Sequence, residues 1–332
     1  MQYIKERGRE REPMKLLLRN VEEVVTRAEL EEALASGTQL RAYAGFEPSG
    51  SVHIGHLPLI AELKELQRLG FHIILLLADV HAYLNEKGDF EQIRATAEYN
   101  RRCFTAAGLS EETEYILGSS FQLDAEYTMD LLQLATVTTE KRARRSMDEL
   151  SRSKTDRKVS QMLYPLMQAM DIAYLNIDVA VGGIDQRKIH MLARENLPKL
   201  GFKAPICIHT PLLIGLDGAK MSSSLHNYIS VHESESDLER KIKAAFCPPR
   251  VVAGNPVMQI YKYIIFGALD AVKIERKREY GGDVTYHDYE QFERDYELGK
   301  LHPQDVKQNA SQYLNELLTP VRERLGDVSK TF

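Results

Sequence analysis

The feature that most constrains the fold is a run of apolar residues near position 75. Phe71–Asp79 reads FHIILLLAD, and a run with no polar alternation predicts a strand buried on both faces, as in a parallel sheet. The preceding chain predicts a strand at Leu40–Phe46 and an amphipathic helix at Ile54–Leu69. A helix at Phe90–Ala107 and a strand within YILGSSF follow. This alternation predicts an α/β fold with a Rossmann-like, doubly wound parallel sheet.

The remaining segments predict helices around and after that sheet. Apolar spacing predicts helices over residues 15–36 and 124–175. Two further strands are predicted at Ile177–Val181 and Ile206–Thr210, with a helix at 186–199 between them. After about residue 232 the composition is typical of helices. We therefore expect three parts, namely N-terminal helices at 1–38, the Rossmann-like domain at 39–232 with a helical connective insertion at about 120–160, and a C-terminal helical domain at 233–332.

Composition and charge exclude several classes of protein. The chain has 332 residues and a formal net charge of −5, so it would meet nucleic acid only through local basic patches. Its 3 cysteines form no CxxC pair, which is typical of a reduced compartment. The N-terminal residues do not resemble a signal peptide, and the longest apolar run is too short to span a membrane. We expect a cytoplasmic protein that does not enter a membrane.

Two histidines stand at the start of the helix predicted at 54–69. The stretch HIGH places His53 and His56 on nearly one face, with Gly55 between them. The N-terminus of a helix offers unpaired N–H groups that suit a phosphate, and a glycine lets a nucleotide approach the backbone. A zinc site would need further ligands, and the sequence offers none nearby, so we expect no metal held by the protein. Taken alone, surface histidines remain the commoner explanation of this stretch.

A second candidate phosphate-binding element follows the last strand of the predicted sheet. Residues 220–224 read KMSSS after GLDGA, so Lys220 would carry a mobile positive charge, while Ser222 and Ser223 would offer hydroxyl donors. A solvated polar loop is the alternative explanation of these residues. HIGH near the first strand together with KMSSS after the last strand is a far more specific signal than either motif alone.

One predicted helix carries three polar side chains in an apolar setting. Tyr164, Gln168 and Asp171 stand at i, i+4 and i+7 within LYPLMQAMDIAYL, so they share a face. They either line a site for a polar ligand, or the first two pack at an interface while Asp171 is solvated. After the next strand, Gly183 and Asp185 suit a nucleotide site, with backbone approach at the glycine and an acid for ribose hydroxyls. A plain Gly-Gly turn is the alternative there.

The paired motifs resemble the two signatures of class I aminoacyl-tRNA synthetases. The resemblance extends to AYAGFEPSGSVHIGH, LLLADVHAYLN, YPLMQAMDIAYL, VAVGGIDQRKIHMLARE and GLDGAKMSSS, which look like tyrosyl-tRNA synthetases of the archaeal and eukaryotic type. It runs from about residue 18 to about residue 325, and the chain is most similar to the compact archaeal enzymes. The resemblance implies ATP-dependent activation of L-tyrosine to tyrosyl-adenylate and transfer to the 3′-terminal adenosine of tRNA(Tyr).

The same resemblance implies roles for individual residues. It assigns six residues to the tyrosine pocket: Tyr43, Asp171, Tyr164, Gln168, Gln186 and His81. Tyr43 and Asp171 would bind the phenol hydroxyl, and Tyr164, Gln168 and Gln186 would bind the amino group. His81 would line the pocket. It assigns ATP binding, with the ribose at Asp185, to Gly55, Gly183, Asp185, Lys220 and Ser223. It assigns catalysis at the phosphates to His53, His56, Lys220, Ser222 and Ser223. Mg²⁺ would accompany the triphosphate.

The resemblance also implies macromolecular partners. Arg145 and Arg187 would contact the acceptor stem of the tRNA, and an anticodon-reading set would comprise Tyr280, His302 and Asp305. The insertion at about 120–160 would form a homodimer. One departure from many bacterial relatives is Ser223, where they carry a second lysine. Lys220 would therefore supply more of the positive charge in this loop.

Other functions remain alternatives at this point. A tryptophanyl-tRNA synthetase shares the fold and both signatures, but Asp171 with Tyr43 argues against it because indole has no phenolic hydroxyl. A small-molecule nucleotidylyltransferase also uses an HxGH motif, but it would lack the anticodon-like domain. A non-catalytic RNA-binding relative is disfavoured because HIGH, KMSSS and Asp171 are all intact.

Overall fold

The large sheet of this protein confirms the predicted doubly wound α/β architecture. The computed structural model describes Met14 and residues 17–148, 158–221 and 225–326. Within those residues a sheet of six strands is formed by β1 (Glu23–Val25), β2 (Arg41–Phe46), β3 (His72–Leu77), β4 (Glu114–Leu117), β5 (Val179–Gly183) and β6 (Ile206–Thr210).

The strand order places a crevice at the carboxyl ends of β2 and β5. The order is β1-β6-β5-β2-β3-β4, with β2 to β6 parallel and β1 antiparallel to β6. The chain proceeds outward from β2 to β4 and then returns to β5 on the other side of β2. At such a switch point the connections leave in opposite directions, which opens a ligand crevice beyond the carboxyl ends of the strands.

Helices connect and follow these strands. They are α1 (Arg27–Ala35), α2 (Leu57–Arg68), α3 (Asp79–Leu84), α4 (Phe90–Ala106), α5 (Ala125–Val137), α6 (Glu140–Ser146), α7 (Ser160–Tyr174), α8 (Arg187–Asn196), α9 (Glu235–Ala244), α10 (Pro256–Ile260), α11 (Phe266–Ala268), α12 (Tyr289–Glu297) and α13 (Pro303–Leu325). A single π-helical turn at Tyr261–Ile265 separates α10 from α11. Across the described ranges, no helix is long and apolar enough to cross a membrane.

Local sequence accounts for where several helices begin. Thr26 caps α1 by accepting a hydrogen bond from the N–H of Glu29, whose carboxylate accepts one from the N–H of Thr26 in return. Ser234 and Asp288 accept in the same way from the third residues of α9 and α12. These bonds satisfy N–H groups that the first turn of a helix leaves unpaired.

The core of the large sheet packs β3 against the helices that carry the predicted pocket. Ile74 and Leu76 of β3 are fully buried, and they share one apolar cluster with Ala169 and Met170 of α7 and Leu192 of α8. The backbone of α7 is therefore held firmly against the sheet, which fixes the face that bears its polar residues.

The chain divides into two compact units, which are described separately. The first comprises Met1–Ser49, Glu62–Arg101 and Leu109–Pro211 and contains the large sheet. The second comprises Gly50–Ala61, Arg102–Gly108 and Leu212–Phe332 and contains α9 to α13. The histidine motif (residues 53–56) and the signature loop (residues 215–224, of which 215–221 are described) thus both belong to the second unit. The three-part division with boundaries after residues 38 and 232 stays a prediction.

One strand and one strand pair replace segments predicted as helix. Within residues 15–36, β1 interrupts the helical pattern because it hydrogen-bonds β6, with Glu23 opposite His209. In the C-terminal part, Val272–Ile274 and Val284–Tyr286 (β7 and β8) form an antiparallel pair that the composition did not indicate. In both places pairing with a distant segment overrides local propensity. Within residues 124–175, segment 149–157 lies outside the described residues.

Truncation of the β3 core should destabilise the protein strongly. We expect Leu76→Ala to lower the free energy of unfolding by about 2–5 kcal/mol, because a fully buried leucine leaves a cavity. Leu298→Ala, at an exposed leucine, should change it by less than about 0.5 kcal/mol. Thermal unfolding of the two variants measures the difference, and equal midpoints would contradict this account of the core.

Candidate active site

A cavity in the first unit lies at the crevice between β2 and β5. Its empty space, which includes open solvent at the mouth, is about 370 Å³, and it is lined by Tyr43, Gly45, Glu47, Ala78, His81, Tyr164, Gln168, Asp171 and Gln186. The family resemblance assigned six residues to an amino-acid pocket, and all six line this cavity. The lining residues come from the ends of β2, β3 and β5 and from one face of α7.

The carboxylate of Asp171 forms a polar floor in this cavity. Asp171 has no exposed surface, and its Oδ1 accepts hydrogen bonds of 2.8 Å from both Gln122 Nε2 and Tyr127 Oη. Its Oδ2 has no hydrogen-bond partner among the described residues. Burial raises the pKa of Asp171 to about 7, against the opposing effect of the bonds from Gln122 and Tyr127. A buried oxygen of this kind favours a ligand that donates a hydrogen bond.

Tyr43 and His81 complete the surroundings of that carboxylate. Burial, together with the charge of Asp171, raises the pKa of Tyr43 well above its ordinary value, so the phenol stays neutral. Burial lowers the pKa of His81 to about 4, so this ring is neutral as well. His81 Nε2 lies 3.8 Å from Asp171 Oδ2, and its ring packs edge-on against Tyr164. No full positive charge therefore neutralises Asp171 from these two positions.

The other polar groups of the cavity form a second cluster. Tyr164 Oη donates to Glu47 Oε2 at 3.2 Å, and Gln168 Nε2 donates to Gln186 Oε1 at 3.1 Å. Lys87 Nζ lies 3.1 Å from Glu47 Oε1. This cluster offers a carboxylate, a phenol and two amides, which suits the amino group of a ligand.

Sequence reasoning missed three residues of this site. Gln122 and Tyr127 hold Asp171 Oδ1, and Glu47 joins the second cluster. The available signal was position, since Glu47 directly follows β2 and Gln122 follows β4 at the carboxyl edge of the sheet. Polar residues at that edge are good candidates for ligand contacts.

The histidine motif adopts a closely defined geometry in the second unit. His53 Nδ1 accepts from the N–H of Gly55 at 3.2 Å, and His56 Nδ1 accepts from the N–H of His53 at 3.1 Å. The rings stack with centroids 3.9 Å apart. Burial lowers the pKa of His53 to about 4, and burial and the neighbouring His53 hold the pKa of His56 well below its ordinary value. Both rings are therefore neutral and carry their proton on Nε2.

The signature loop reaches this motif through Met221. A Cβ added at Gly55 would lie 2.9 Å from Met221 Sδ and 2.9 Å from the His53 ring, so a larger residue would require these side chains to shift. Lys220 is exposed beside Met221 in the same loop. Ser222 and Ser223 lie outside the described residues.

The predicted nucleotide residues follow β5 in the first unit. Gly183 ends β5, and Asp185 lies in the 3-10 turn Ile184–Gln186 that connects β5 to α8. Asp185 makes the smallest contribution to the raised pKa of Tyr164, behind burial, Glu47 and Tyr43. Among the residues that the structure describes, no group of three or more His, Cys, Asp or Glu could hold a metal ion.

The predicted tRNA-contacting residues lie at the surface. Arg145 is exposed on α6, whereas Arg187 Nε and Nη2 bind Glu23 at 2.7 and 2.9 Å. In the second unit, Tyr280 is exposed and His302 caps α13, whose first turn contains Asp305.

One arginine connects the two segments that carry these C-terminal residues. Arg276 donates to the carbonyl of Gly282 and to the carbonyl of Lys300, each at 2.6 Å. It thereby ties the loop of Tyr280 to the turn that precedes His302.

The burial of Asp171 predicts a pH-dependent penalty on stability. The folded-state pKa of Asp171 is about 7, and its ordinary value is 3.8. The contribution of Asp171 to the free energy of unfolding is therefore most favourable below pH 3.8 and is lost as pH rises to about 7. Asp171→Asn should therefore stabilise the ligand-free protein relative to the parent increasingly from pH 4 to pH 8. Thermal unfolding at several pH values measures this, with Asp124→Asn at an exposed position as the control. A difference that stays constant with pH would contradict it.

Comparison with known proteins identifies the family. A family model described as class I tRNA synthetases (W and Y) matches residues 35–319. The tyrosine–tRNA ligase of Archaeoglobus fulgidus is 54% identical over 95% of this chain and 98% of its own, and that of Methanopyrus kandleri is 55% identical over 95% and 98%.

Solved structures agree with these relatives. A crystal structure of tyrosyl-tRNA synthetase complexed with L-tyrosine from Archaeoglobus fulgidus matches with a TM-score of 0.92, covering 95% of this chain and 99% of that one. A tryptophanyl-tRNA synthetase from Aeropyrum pernix, at 22% identity and a TM-score of 0.73, shares the fold alone. The chain belongs to the tyrosyl-tRNA synthetase family of class I aminoacyl-tRNA synthetases.

Proposed function

We propose that this chain activates L-tyrosine with ATP and transfers it to the 3′-terminal adenosine of tRNA(Tyr). The observation that carries the proposal is the buried Oδ2 of Asp171, which has no hydrogen-bond partner among the described residues, on a residue that lines the cavity together with Tyr43. A substrate phenol hydroxyl would donate to Asp171 and accept from the hydroxyl of Tyr43. Because only a phenol hydroxyl can both donate to Asp171 and accept from Tyr43, the pocket favours tyrosine over other aromatic amino acids.

Discrimination follows from the cost of unpaired buried groups. Phenylalanine would leave Asp171 Oδ2 and the hydroxyl of Tyr43 without a substrate partner, which is expensive in a buried site. The indole N–H of tryptophan can donate to Asp171 but cannot accept from Tyr43. The tryptophanyl alternative is therefore not favoured.

The opposite end of the substrate would lie at the second polar cluster. The ammonium group donates three hydrogen bonds, and the oxygens of Tyr164, Gln168 and Gln186 line the cavity with the carboxylate of Glu47. In this arrangement the substrate carboxylate extends out of the cavity, where it can attack ATP.

The first chemical step is attack on the α-phosphorus of ATP. One carboxylate oxygen of tyrosine forms the new O–P bond, and the bond from the α-phosphorus to the bridging oxygen breaks, releasing pyrophosphate with its electron pair. A carboxylate is already a nucleophile, so catalysis rests on placement and on stabilisation of phosphate charge. The Nε2–H groups of His53 and His56 donate hydrogen bonds, and Lys220 supplies positive charge.

The remaining ATP contacts belong to the same proposal. Gly55 and Gly183 permit backbone approach by the nucleotide, Asp185 binds the ribose, and Ser222 and Ser223 add hydroxyl donors. Mg²⁺ would accompany the triphosphate and help neutralise the leaving pyrophosphate.

In the second step a ribose hydroxyl of the tRNA attacks the carbonyl of the adenylate, and AMP leaves. Arg145 and Arg187 would hold the acceptor stem, and Tyr280, His302 and Asp305 would read the anticodon. The tie that Arg276 makes between their two segments supports this grouping. Because Glu23 binds Arg187 through two nitrogens, contact with a phosphate would use the remaining N–H groups or displace that carboxylate.

The proposal includes a cytoplasmic homodimer organised as the three predicted parts. Exposed apolar side chains support self-association, since Leu123, Met129 and Leu132 all lie at or on α5 within the predicted insertion. Scattered apolar residues are ordinary on a surface, but a cluster on one element is typical of an interface.

Amino-acid-dependent ATP–pyrophosphate exchange tests the proposed function. We expect exchange with tyrosine and none above background with phenylalanine or tryptophan, because only tyrosine satisfies both Asp171 and Tyr43. Exchange driven by tryptophan would overturn the pocket assignment. Absence of exchange with all three amino acids would overturn the function.

Loss of the loop cation should slow the first step specifically. We expect Lys220→Ala to lower the single-turnover rate of adenylate formation by about 10²–10³-fold, as for removal of one transition-state donor, with tyrosine affinity unchanged. Lys203→Ala, which removes a surface lysine paired with Asp178, is the matched control and should keep the parent rate. A normal adenylation rate in Lys220→Ala would remove this residue from the mechanism.

A further inference from the structure

A short buried segment connects the two phosphate-binding motifs of the second unit. Residues 227–231 follow the signature loop, and we call them the linking segment. Asn227, Ile229 and Val231 are buried, and none is assigned a role above. The backbone and side chains of this segment contact the signature loop at one end and the histidine motif at the other.

The first residue of the linking segment fastens the signature loop. Asn227 Nδ2 donates to Asp217 Oδ1 at 2.8 Å and to the carbonyl of Lys220 at 3.1 Å. Its own carbonyl accepts from the N–H of Leu216 at 2.8 Å. A Cβ added at Gly215 would lie 2.1 Å from Asn227 Nδ2, so the glycine makes room for this amide. Three bonds from one residue thus fix the loop on both sides of its turn.

The far end of the linking segment holds the histidine motif. The carbonyl of Ile229 accepts from the N–H of Ile54 at 2.9 Å, and the N–H of Val231 donates to the carbonyl of Val52 at 3.0 Å. The Tyr228 ring lies 5.1 Å from the His53 ring. The backbone on both sides of His53 is therefore fixed by the segment that also fixes Lys220.

We infer that Asn227 is a positioning residue for adenylate formation, which acts by holding the main chain of Lys220 in register with His53 and His56. The inference rests on the proposed function, in which these three side chains bind the triphosphate. A lysine side chain is flexible, so its anchor decides how often the ammonium group reaches the phosphates. Small errors in the placement of a charged group in a transition state are costly in rate.

The prediction is a rate loss that depends on Lys220. We expect Asn227→Ala to lower the single-turnover rate of adenylate formation by about 10- to 100-fold, with the dissociation constant of tyrosine unchanged. In the Lys220→Ala background the same substitution should change the rate by less than about twofold, because the residue it positions is gone. Quenched-flow measurement with tyrosine and ATP on the full chain gives all four rates.

A matched control separates positioning from general loss of stability. Asn309 is also a buried asparagine of the second unit, and its Nδ2 donates to the carbonyls of Glu275 and Asp305 at 3.0 and 2.8 Å. Asn309→Ala should leave adenylate formation unchanged.

Asn227→Asp is a second variant of unchanged size, whose ionised carboxylate cannot donate to Asp217 or Lys220. Adding Asp217→Asn to it restores one of the two bonds, so part of the rate should return.

The outcomes distinguish this inference from the proposed function. A parent-like rate in Asn227→Ala beside a slow Lys220→Ala overturns the inference alone. The inference is also overturned if the rate of the double variant falls by the product of the two single-variant factors, since Asn227 would then act without Lys220. A parent-like rate in Lys220→Ala overturns both the role of that lysine and the inference built on it.

Discussion

A buried carboxylate that pairs with no positive charge among the described residues is the constraint on which the first unit depends. Four side chains surround Asp171. Gln122 follows β4, Tyr127 lies on α5, His81 lies on α3 and Tyr43 lies on β2. The environment of Asp171 therefore exists only when the sheet and the helices around it are in place. The raised pKa of Asp171 shows that burial outweighs the hydrogen bonds it receives. A ligand can compensate for a buried charge that is unfavourable for stability, and in the proposed function a phenol hydroxyl is that ligand.

The two units hold chemically different halves of the proposed reaction. In that proposal, side-chain recognition would use neutral aromatic groups and one carboxylate, all within the first unit. Phosphate chemistry would use two neutral imidazoles and a lysine, all within the second. Because the histidines are neutral in the absence of ligand, they would act as hydrogen-bond donors, while permanent positive charge would come from Lys220. The linking segment of residues 227–231 connects these groups by backbone hydrogen bonds on both sides of His53 and by the side-chain amide of Asn227, which donates to the carbonyl of Lys220.

Sequence reasoning succeeded where a pattern had one dominant physical cause. The apolar run at β3 has no polar face, which predicts a strand buried on both sides, as in a parallel sheet. Helical spacing placed Tyr164, Gln168 and Asp171 on one face of α7. It failed where contacts join distant positions. Gln122 and Tyr127 lie 49 and 44 positions from Asp171 along the chain, and nothing local marks them as its partners. The strand β1 forms through pairing with β6, far along the chain, so its three residues carry too little pattern to be recognised alone.

The most direct test of this account is the equilibrium binding of tyrosine and phenylalanine, measured by dialysis with labelled amino acids on the parent chain and on Asp171→Ala. The account predicts that the parent strongly prefers tyrosine and that the variant loses this preference while remaining folded. The loss should arise from weaker tyrosine binding, since phenylalanine makes no bond to the carboxylate. A folded variant that keeps the preference for tyrosine would contradict the claim that Asp171 recognises the substrate hydroxyl.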